Sequence, residues 1–318
     1  GTIHALTDDT LDEVWSFKTG SISSAPPMTY AVGGKQYVAV LIRGNRIARG
    51  QLGQVLAVAE RLDTLAGIFA VGMKPGGNKD PFALRRAALG LARTLIEAKF
   101  DLDLKAHLAE ALAALPESAL QAGLGKGKDG KPPTLEPGSR RDELAAELYA
   151  FIVDRLRGYY ADQGIAGEAF EAVRAMAPSS LLDFDRRLRA VVEFSALPEA
   201  QSLAAANKRI GNILRQAGDR TSGELDTALL ESDAERELVA ALAEAEASSA
   251  PLIADADYVG LLGRLAALRA PVDRFFDNVM VMAEDDGVRR NRLLILHRLR
   301  SLFLRVADIS LLPAAGQA

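Results

Sequence analysis

Residues 287–307 have the sequence GVRRNRLLILHRLRSLFLRVA, in which apolar residues recur at the three- and four-residue spacing of an α-helix. One apolar stripe runs along this helix and comprises Leu296, Leu299, Leu302, Phe303 and Val306. The segment also contains six arginines and no carboxylate. We therefore predict a helix from about Val288 to Ile309 that packs its apolar stripe into a core and carries cations on its flanks.

The arginines of this helix have two alternative roles. Arginines on the flank of a helix can contact phosphates or stack on unpaired bases, and Arg298 and Arg305 lie seven residues apart on the same flank. Alternatively, the arginines pair within the protein with residues 219–257. That stretch carries eleven carboxylates and two arginines, and we predict that it forms a solvated helical surface. The helix alone leaves both roles open.

Most of the chain outside this segment has helical spacing as well. Of the 318 residues, 49% are hydrophobic and only 6% are aromatic, which favours helices over an all-β fold. Helical spacing begins at Gln51, and Leu203–Gln216 and Arg269–Asp277 are further predicted helices. Asp80, followed by proline, predicts a helix N-cap with proline in the first helical position. Glycine and proline residues predict a loop at 123–140 and breaks at 178–180 and 197–198.

The first 48 residues differ from the rest because β-branched and aromatic residues are frequent in them. Strand-like runs occur at 15–20 and on both sides of Gly33-Gly34. Two glycines between strand-like runs predict a β-hairpin. We therefore predict a mainly α protein with a small N-terminal β-hairpin.

Several classes of functional site are not expected in this chain. It lacks cysteine and has only three histidines, His4, His107 and His297, which argues against thiolate, zinc–thiolate and multi-histidine sites. Residues 123–128 lack the spacing of a P-loop. No apolar run reaches the ~18 residues of a membrane helix, and no signal peptide is recognisable. With a net charge of −4, nucleic-acid binding needs a local basic patch. We predict no catalytic residue, no metal ligand and no membrane contact.

Ordered motifs extend over roughly residues 52–312. The first two are DTLAGIFAVG at 63–72 and KDPFALRRAALG at 79–90. Others follow at 154–160, 183–187, 204–214, 268–282 and 302–312. Together they resemble the β subunit of bacterial heterotetrameric glycyl-tRNA synthetases. The glycine-rich loop at 123–140 departs from the family and is interpreted as a surface insertion.

The resemblance implies a division of roles between two subunits. In the family, the α subunit carries the class II active site for glycine and uses ATP and Mg, whereas the β subunit recognises tRNA(Gly) in a cytoplasmic α2β2 assembly. This chain would then be a fragment of a glycine–tRNA ligase subunit. It would bind no cofactor itself and would not be catalytic alone.

The resemblance also implies two helical domains after the segment 1–48. Residues 49–197 correspond to a domain similar to HD phosphohydrolases, and residues 198–318 to a helical-bundle anticodon-binding domain of the arginyl-tRNA synthetase type. HD hydrolysis is not expected, because paired histidines and a His-Asp dipeptide are missing. Asp63 lies near the position of the last metal-binding aspartate of that superfamily. We expect it to form a hydrogen bond between helices instead.

Candidate tRNA contacts lie on two predicted helices of the anticodon-binding domain. These candidates are Asn207, Lys208, Arg209, Arg289, Arg290, Arg292, Arg298 and Arg305. Arginine–phosphate contacts would supply affinity, and stacked or hydrogen-bonded anticodon bases would supply specificity. The alternative for residues 207–209 is a solvated helix face. Arg85 and Arg86 are expected to contact nearby carboxylates or the loop at 72–80. Arg269 and Asp273 are expected to pair along one helix.

The first 48 residues carry a resemblance of their own. Residues 15–20, 27–30 and 34–40 are similar to a C-terminal propeller segment of quinoprotein alcohol dehydrogenases. One blade cannot close a ring or build a quinone site, so we interpret 1–48 as a fused segment of different ancestry or a divergent β appendage. Two further hypotheses stay open. One is a helical scaffold that docks on a partner such as the α subunit, and the other is a fragment of a quinone-dependent alcohol dehydrogenase.

Overall fold

The computed structural model describes residues 2–7, 10–18, 28–32, 35–39, 47–124, 139–218 and 223–313. The chain folds into two compact units. The first unit comprises Gly1–Phe100 and Leu104–Arg155, and the second comprises Asp101–Asp103 and Leu156–Ala318. Most of the predicted loop at 123–140 lies outside the described residues.

The described N-terminal strands form two antiparallel pairs. These pairs are β1 (Thr2–Leu6) with β2 (Glu13–Lys18), and β3 (Met28–Val32) with β4 (Lys35–Ala39). In the second pair, Val32 lies opposite Lys35, which confirms the predicted hairpin, although Gly33-Gly34 themselves lie outside the described residues. The sequence does not predict β1, because its five residues are too few to establish an alternating pattern.

Helices make up the rest of the first unit that the structure describes. They are α1 (Gln51–Ala70), α2 (Leu84–Glu97), α3 (Leu104–Ala113), α4 (Glu117–Ala122) and α5 (Ser139–Ala161) as far as Arg155. α1 packs against α2, α3 and α4. Its inner face includes the buried side chains of Leu65 and Phe69, and the Phe69 ring lies 5.1 Å from the ring of Phe151 on α5. The helical spacing predicted from Gln51 is confirmed.

The start of α2 differs from the prediction. α2 begins at Leu84, after Ala83 in the left-handed conformation, so Pro81 is not the first helical residue. The Asp80 carboxylate nevertheless accepts hydrogen bonds from the backbone N–H groups of Leu84 (2.8 Å) and Arg85 (3.0 Å). The predicted position of the proline is wrong, because residues 81–83 add a turn before the helix. The predicted role of Asp80 as an acceptor for helix amides is confirmed.

Two polar predictions in the first unit have opposite outcomes. Arg85 Nη2 donates to the carbonyl oxygen of Gly77 at 2.6 Å, which confirms its expected contact with the loop at 72–80. Asp63 is exposed on α1, and no hydrogen bond from it to another described helix is found. The prediction for Asp63 is wrong, because the helix phase that buries Leu62 and Leu65 turns Asp63 outwards.

The second unit begins with the C-terminal end of α5. Its further described helices are α6 (Gly167–Arg174), α7 (Leu181–Ser195), α8 (Ala200–Ala217), α9 (Asp233–Ala254), α10 (Tyr258–Ala266), α11 (Arg269–Asn278) and α12 (Asp286–Leu304). Short 3-10 turns lie at Thr227–Leu229 and Ile309–Leu311. These bounds confirm the breaks at 178–180 and 197–198 and the helices at 203–216 and 269–277. None of the described helices has the length and apolar composition needed to cross a bilayer.

α12 is a largely buried helix of the second unit. All five residues of its predicted apolar stripe are buried, and α12 contacts α8, α9 and α10. The six consecutive residues 291–296 are buried as well, so this part of the helix is enclosed on every side. The helix ends at Leu304 rather than near Ile309, because Asp308 caps a separate turn by accepting the N–H of Ser310. The described fold is mainly α with a small N-terminal β component, as predicted.

Candidate functional site

Arg292 lies inside the second unit and contacts an acidic cluster. Its Nε donates to Glu235 at 2.7 Å, and its Nη2 donates to Glu231 at 2.8 Å. The third contact is from Nη1 to the carbonyl oxygen of Met280 at 3.0 Å. Burial alone would raise the pKa of Glu235, but hydrogen bonds from Arg292 and Ser232 outweigh burial and lower it. The guanidinium of Arg292 is therefore directed into the protein.

Arg298 also pairs with the acidic stretch. Its Nε and Nη2 donate to the two carboxylate oxygens of Glu246 on α9, at 3.0 Å and 2.5 Å. This hydrogen bonding raises the pKa of the Arg298 guanidinium. Arg292 and Arg298 thus adopt the internal alternative, in which arginines of α12 pair with residues 219–257.

Two further arginines of α12 contact groups close to the helix. Arg289 Nη1 donates to the carbonyl oxygens of Ala283 (2.6 Å) and Glu284 (3.2 Å), and its guanidinium forms an ion pair with Asp286. Arg300 Nη2 pairs with Asp308 at 2.9 Å. These contacts compete with any phosphate for the same N–H groups.

Asn207 faces the interior although it begins a polar Asn-Lys-Arg run. It is 1% exposed, and its Nδ2 donates to the carbonyl oxygen of Leu203 at 3.0 Å. The Asn207 carbonyl oxygen accepts Arg300 Nη1 at 3.1 Å, and this joins α8 to α12. The absence of a side chain at Gly211 leaves the space that Arg300 occupies. Asn207 therefore holds two helices together.

The next residues of α8 point outwards and carry positive charge. Lys208, Asn212 and Arg215 are exposed at positions i, i+4 and i+7, which lie on one face of a helix. Arg209 is exposed at the border of the same face. The 18 residues of α8 include three cations and no carboxylate. We call Lys208, Arg209, Asn212 and Arg215 the α8 basic face. None of its cations pairs with a carboxylate among the described residues.

Arg209 is held against an aromatic ring of the neighbouring helix. Its guanidinium carbon lies 4.3 Å from the centre of the Phe276 ring on α11. Phe276 is half-buried, and its ring lies edge-on to Phe275 at 5.7 Å. A cation over an aromatic face is attracted by the ring quadrupole. The pair therefore places an arginine at the surface in a restricted position.

Arg290 and Arg305 are the other exposed arginines of the predicted set. The guanidinium of Arg290 lies against Gly223, where a Cβ atom would collide with it. The backbone carbonyl of Arg305 accepts Arg187 Nη1 at 2.6 Å, and Arg187 in turn forms an ion pair with Asp183. The predicted pair of Arg269 with Asp273 is confirmed at 3.5 Å.

The sequence prediction missed Asn212 and Arg215 of the α8 basic face, and it missed Phe276 beside that face. Arg215 lies seven residues after Lys208 on a predicted helix without carboxylates, and counting charges over that helix would have found it. Phe276 carries no such signal, because only the packing of α11 on α8 brings it to Arg209. No group of three or more histidine, aspartate or glutamate side chains suited to a metal ion occurs among the described residues.

Family models match both parts of the chain. The model "Glycyl-tRNA synthetase beta subunit" matches residues 32–175, and the model "DALR anticodon binding domain" matches residues 203–309. The second match covers α8 from residue 203 onwards together with α9, α10, α11 and α12, and therefore includes the whole α8 basic face. The first match begins inside the segment 1–48. These matches give no support to the propeller resemblance of that segment.

Curated relatives are similar over most of this chain. The beta subunit of glycine–tRNA ligase from Xanthomonas campestris pv. campestris (strain B100) is 50% identical over 268 residues, which cover 84% of this chain and 36% of the relative. The corresponding subunit from Pseudomonas aeruginosa (strain LESB58) is 48% identical over 82% of this chain and 35% of the relative. That from Marinobacter nauticus is 46% identical over 86% of this chain and 36% of the relative. The chain spans about a third of the length of these relatives, and over that part it is similar to glycyl-tRNA synthetase beta subunits.

Proposed function

We propose that this chain is a tRNA-recognising part of a glycine–tRNA ligase β subunit. In this role it supports the ATP-dependent glycylation of tRNA(Gly) through its C-terminal helices. The observation that carries the proposal is the α8 basic face, which lies inside the region matched by the anticodon-binding family model. Three cations that have no carboxylate partner in the described part of the chain form a local positive surface, whereas the net charge of the whole chain is −4.

The contacts of each candidate residue support a division of roles within the predicted set. Lys208 and Arg209 are exposed residues, and we propose that they contact RNA together with Arg215. Arg290 on α12 and Arg305, the residue directly after α12, are further proposed contacts. The other predicted candidates act as positioning residues, because their polar groups already bind protein atoms. These are Asn207, Arg289, Arg292 and Arg298.

Glycine activation belongs to a different subunit in this proposal. An α subunit would carry the site for glycine, ATP and Mg, and it would join this chain in a cytoplasmic α2β2 assembly. This chain would bind no cofactor of its own and would contribute only recognition. The relatives named above are beta subunits, which supports an α partner.

The experiment is a filter-binding titration of the full chain with a tRNA(Gly) transcript at low and moderate salt. The expected result is saturable binding that weakens steeply with salt, because bound cations release counterions from the phosphates. A transcript of an unrelated tRNA of equal length is the control for phosphate binding alone. We expect it to bind at least tenfold more weakly.

Two outcomes would overturn the proposal. Equal affinity for both transcripts would reduce the chain to a general polyanion binder. Failure to bind tRNA(Gly) at low salt, combined with binding to an isolated α subunit, would favour the helical scaffold. The hypothesis of a quinone-dependent dehydrogenase fragment is not favoured, because both family matches and the curated relatives indicate a tRNA ligase.

A further inference from the structure

Two neighbouring contacts join α8 and α11, one a hydrogen bond and the other a contact between a cation and an aromatic ring. In the first, Ser202 Oγ donates to an oxygen of Asp273 at 2.8 Å. In the second, the Arg209 guanidinium lies over the ring of Phe276. Ser202 and Arg209 are seven residues apart and lie on one face of α8. Asp273 and Phe276 are three residues apart and lie on one face of α11. The hydrogen bond between Ser202 and Asp273 therefore holds the two helices together beside the contact of Arg209 with Phe276.

The acidic residue beside this contact does not capture Arg209. Asp273 already accepts Ser202 and pairs with Arg269 at 3.5 Å. Arg209 has no carboxylate partner among the described residues, and its guanidinium lies against the ring of Phe276. A surface arginine would normally sample many rotamers, and ordering it costs free energy. Here the aromatic ring restricts those rotamers before any ligand arrives.

A guanidinium in this position has one side against the phenyl ring while the residue stays exposed to solvent. Planar guanidinium groups stack on unpaired nucleobases, which have a π face whatever the base. Paired bases within a duplex do not offer this face. The neighbouring Lys208 and Arg215 can hold the backbone of the same strand by contacts with phosphates.

We propose that Arg209 and Phe276 form a stacking platform for one unpaired nucleobase, with the guanidinium between the base and the phenyl ring. This inference rests on the proposed function, since it assigns a role in tRNA binding to one part of the α8 basic face. The proposal assigns two different kinds of RNA contact to residues of α8. Lys208 and Arg215 recognise charge, and Arg209 recognises the exposed face of a base.

The test uses the full chain and two RNA probes, the anticodon stem-loop of tRNA(Gly) and a fully paired RNA duplex with the same number of phosphates. Arg209→Lys keeps the charge but removes the planar group, and we expect it to weaken stem-loop binding by about tenfold. The salt dependence and the affinity for the duplex should stay unchanged. Arg264→Lys on α10 is the matched control, because it makes the same substitution at an exposed arginine outside the α8 basic face. It should stay within about twofold of the unsubstituted chain.

A double-mutant cycle tests whether Arg209 and Phe276 act together as one stacking platform. Phe276→Leu should cost about as much as Arg209→Lys, and the double variant should lose little more than either single variant, since both remove one unit. Circular dichroism verifies that each variant is folded. In a stem-loop that carries 2-aminopurine at an unpaired loop position, the unsubstituted chain should quench the 2-aminopurine fluorescence. The Arg209→Lys variant should quench it less.

The outcomes distinguish this inference from the function on which it rests. If the unsubstituted chain prefers the stem-loop but Arg209→Lys binds it equally well, the platform is wrong and tRNA recognition stands. Independent, additive losses in the cycle would also contradict the platform. If the unsubstituted chain does not bind the stem-loop more tightly than the duplex, the proposed function itself fails.

Discussion

Arg292 Nε donates a 2.7 Å hydrogen bond to Glu235, whose side chain is completely buried. Glu235 also closes a capping box with Ser232 at the start of α9, so one carboxylate binds both the end of a helix and the middle of α12. The side chain of Arg292 is only 8% exposed. An arginine in this position acts on stability rather than on a ligand.

Replacing Arg292 should therefore destabilise the second unit. Arg292→Met leaves the Glu235 carboxylate buried without its cation, and such a change costs about 3–5 kcal/mol. Urea unfolding followed by circular dichroism measures the loss. The double variant with Glu235→Gln should recover part of it, because the remaining side chain is neutral and can still cap α9. A loss below about 1 kcal/mol in Arg292→Met would show that this pair does not hold α9 and α12 together.

The same pair predicts how stability depends on pH. The pKa of Glu235 in the folded chain is lowered from its usual value of 4.5, so the unfolded state takes up the proton first as the pH falls. Its stabilising contribution is complete above the unfolded pKa and is lost as the pH falls through the folded pKa. Glu171, whose pKa is lowered by Arg174 and Arg157 against the effect of burial, adds to this acid loss.

The measurement is the urea midpoint between neutral pH and about pH 3. We expect the midpoint to fall with pH in the unsubstituted chain and to fall less in Glu235→Gln. The matching variant Glu171→Gln should remove a separate part of the same slope. Equal acid sensitivity in all three proteins would contradict the assignment.

Arg298 provides a test of the difference between paired and unpaired arginines. The sequence alone predicts that Arg298→Ala lowers the salt slope of tRNA binding by about one unit. In the structure Glu246 occupies two N–H groups of Arg298, so binding a phosphate requires breaking that pair first. We therefore expect Arg298→Gln to change the slope by less than Arg215→Gln does. Glu246→Gln should tighten binding slightly by releasing Arg298, and an unchanged affinity in that variant would show that Arg298 is not near the RNA.

The spacing of apolar residues predicted most of the helices, but it did not predict which polar residues of each helix face the solvent. The stripe from Leu296 to Val306 was sufficient to place α12 at a core. Asn207 and Lys208 are adjacent in the sequence, yet only Lys208 reaches solvent, because the packing of α8 on α12 decides which side is buried. A sequence pattern records the period of a helix, while its orientation depends on neighbours distant in the chain.

The charges followed the same rule. The acidic stretch 219–257 was predicted as a solvated surface, yet it contributes Glu235, which is buried against Arg292. The arginine-rich α12 was the obvious basic patch, and most of its guanidinium groups bind protein acceptors. The less conspicuous α8 retains its cations for solvent, because no carboxylate among the described residues, on α8 or on its neighbours, pairs with them. The candidate surface is therefore indicated by the cations that remain after ion pairs are taken into account, and not by the number of arginines in a helix.

The proposed function requires that the α8 basic face contacts the RNA. Its most direct test is the salt dependence of tRNA(Gly) affinity for Lys208→Gln/Arg215→Gln, compared with Arg186→Gln/Arg264→Gln. The control removes two exposed cations from α7 and α10, so both variants change the net charge equally. We expect the α8 variant to lower the slope of log affinity against log salt by about two units and the control to leave it unchanged. Equal slopes for both variants would contradict the claim.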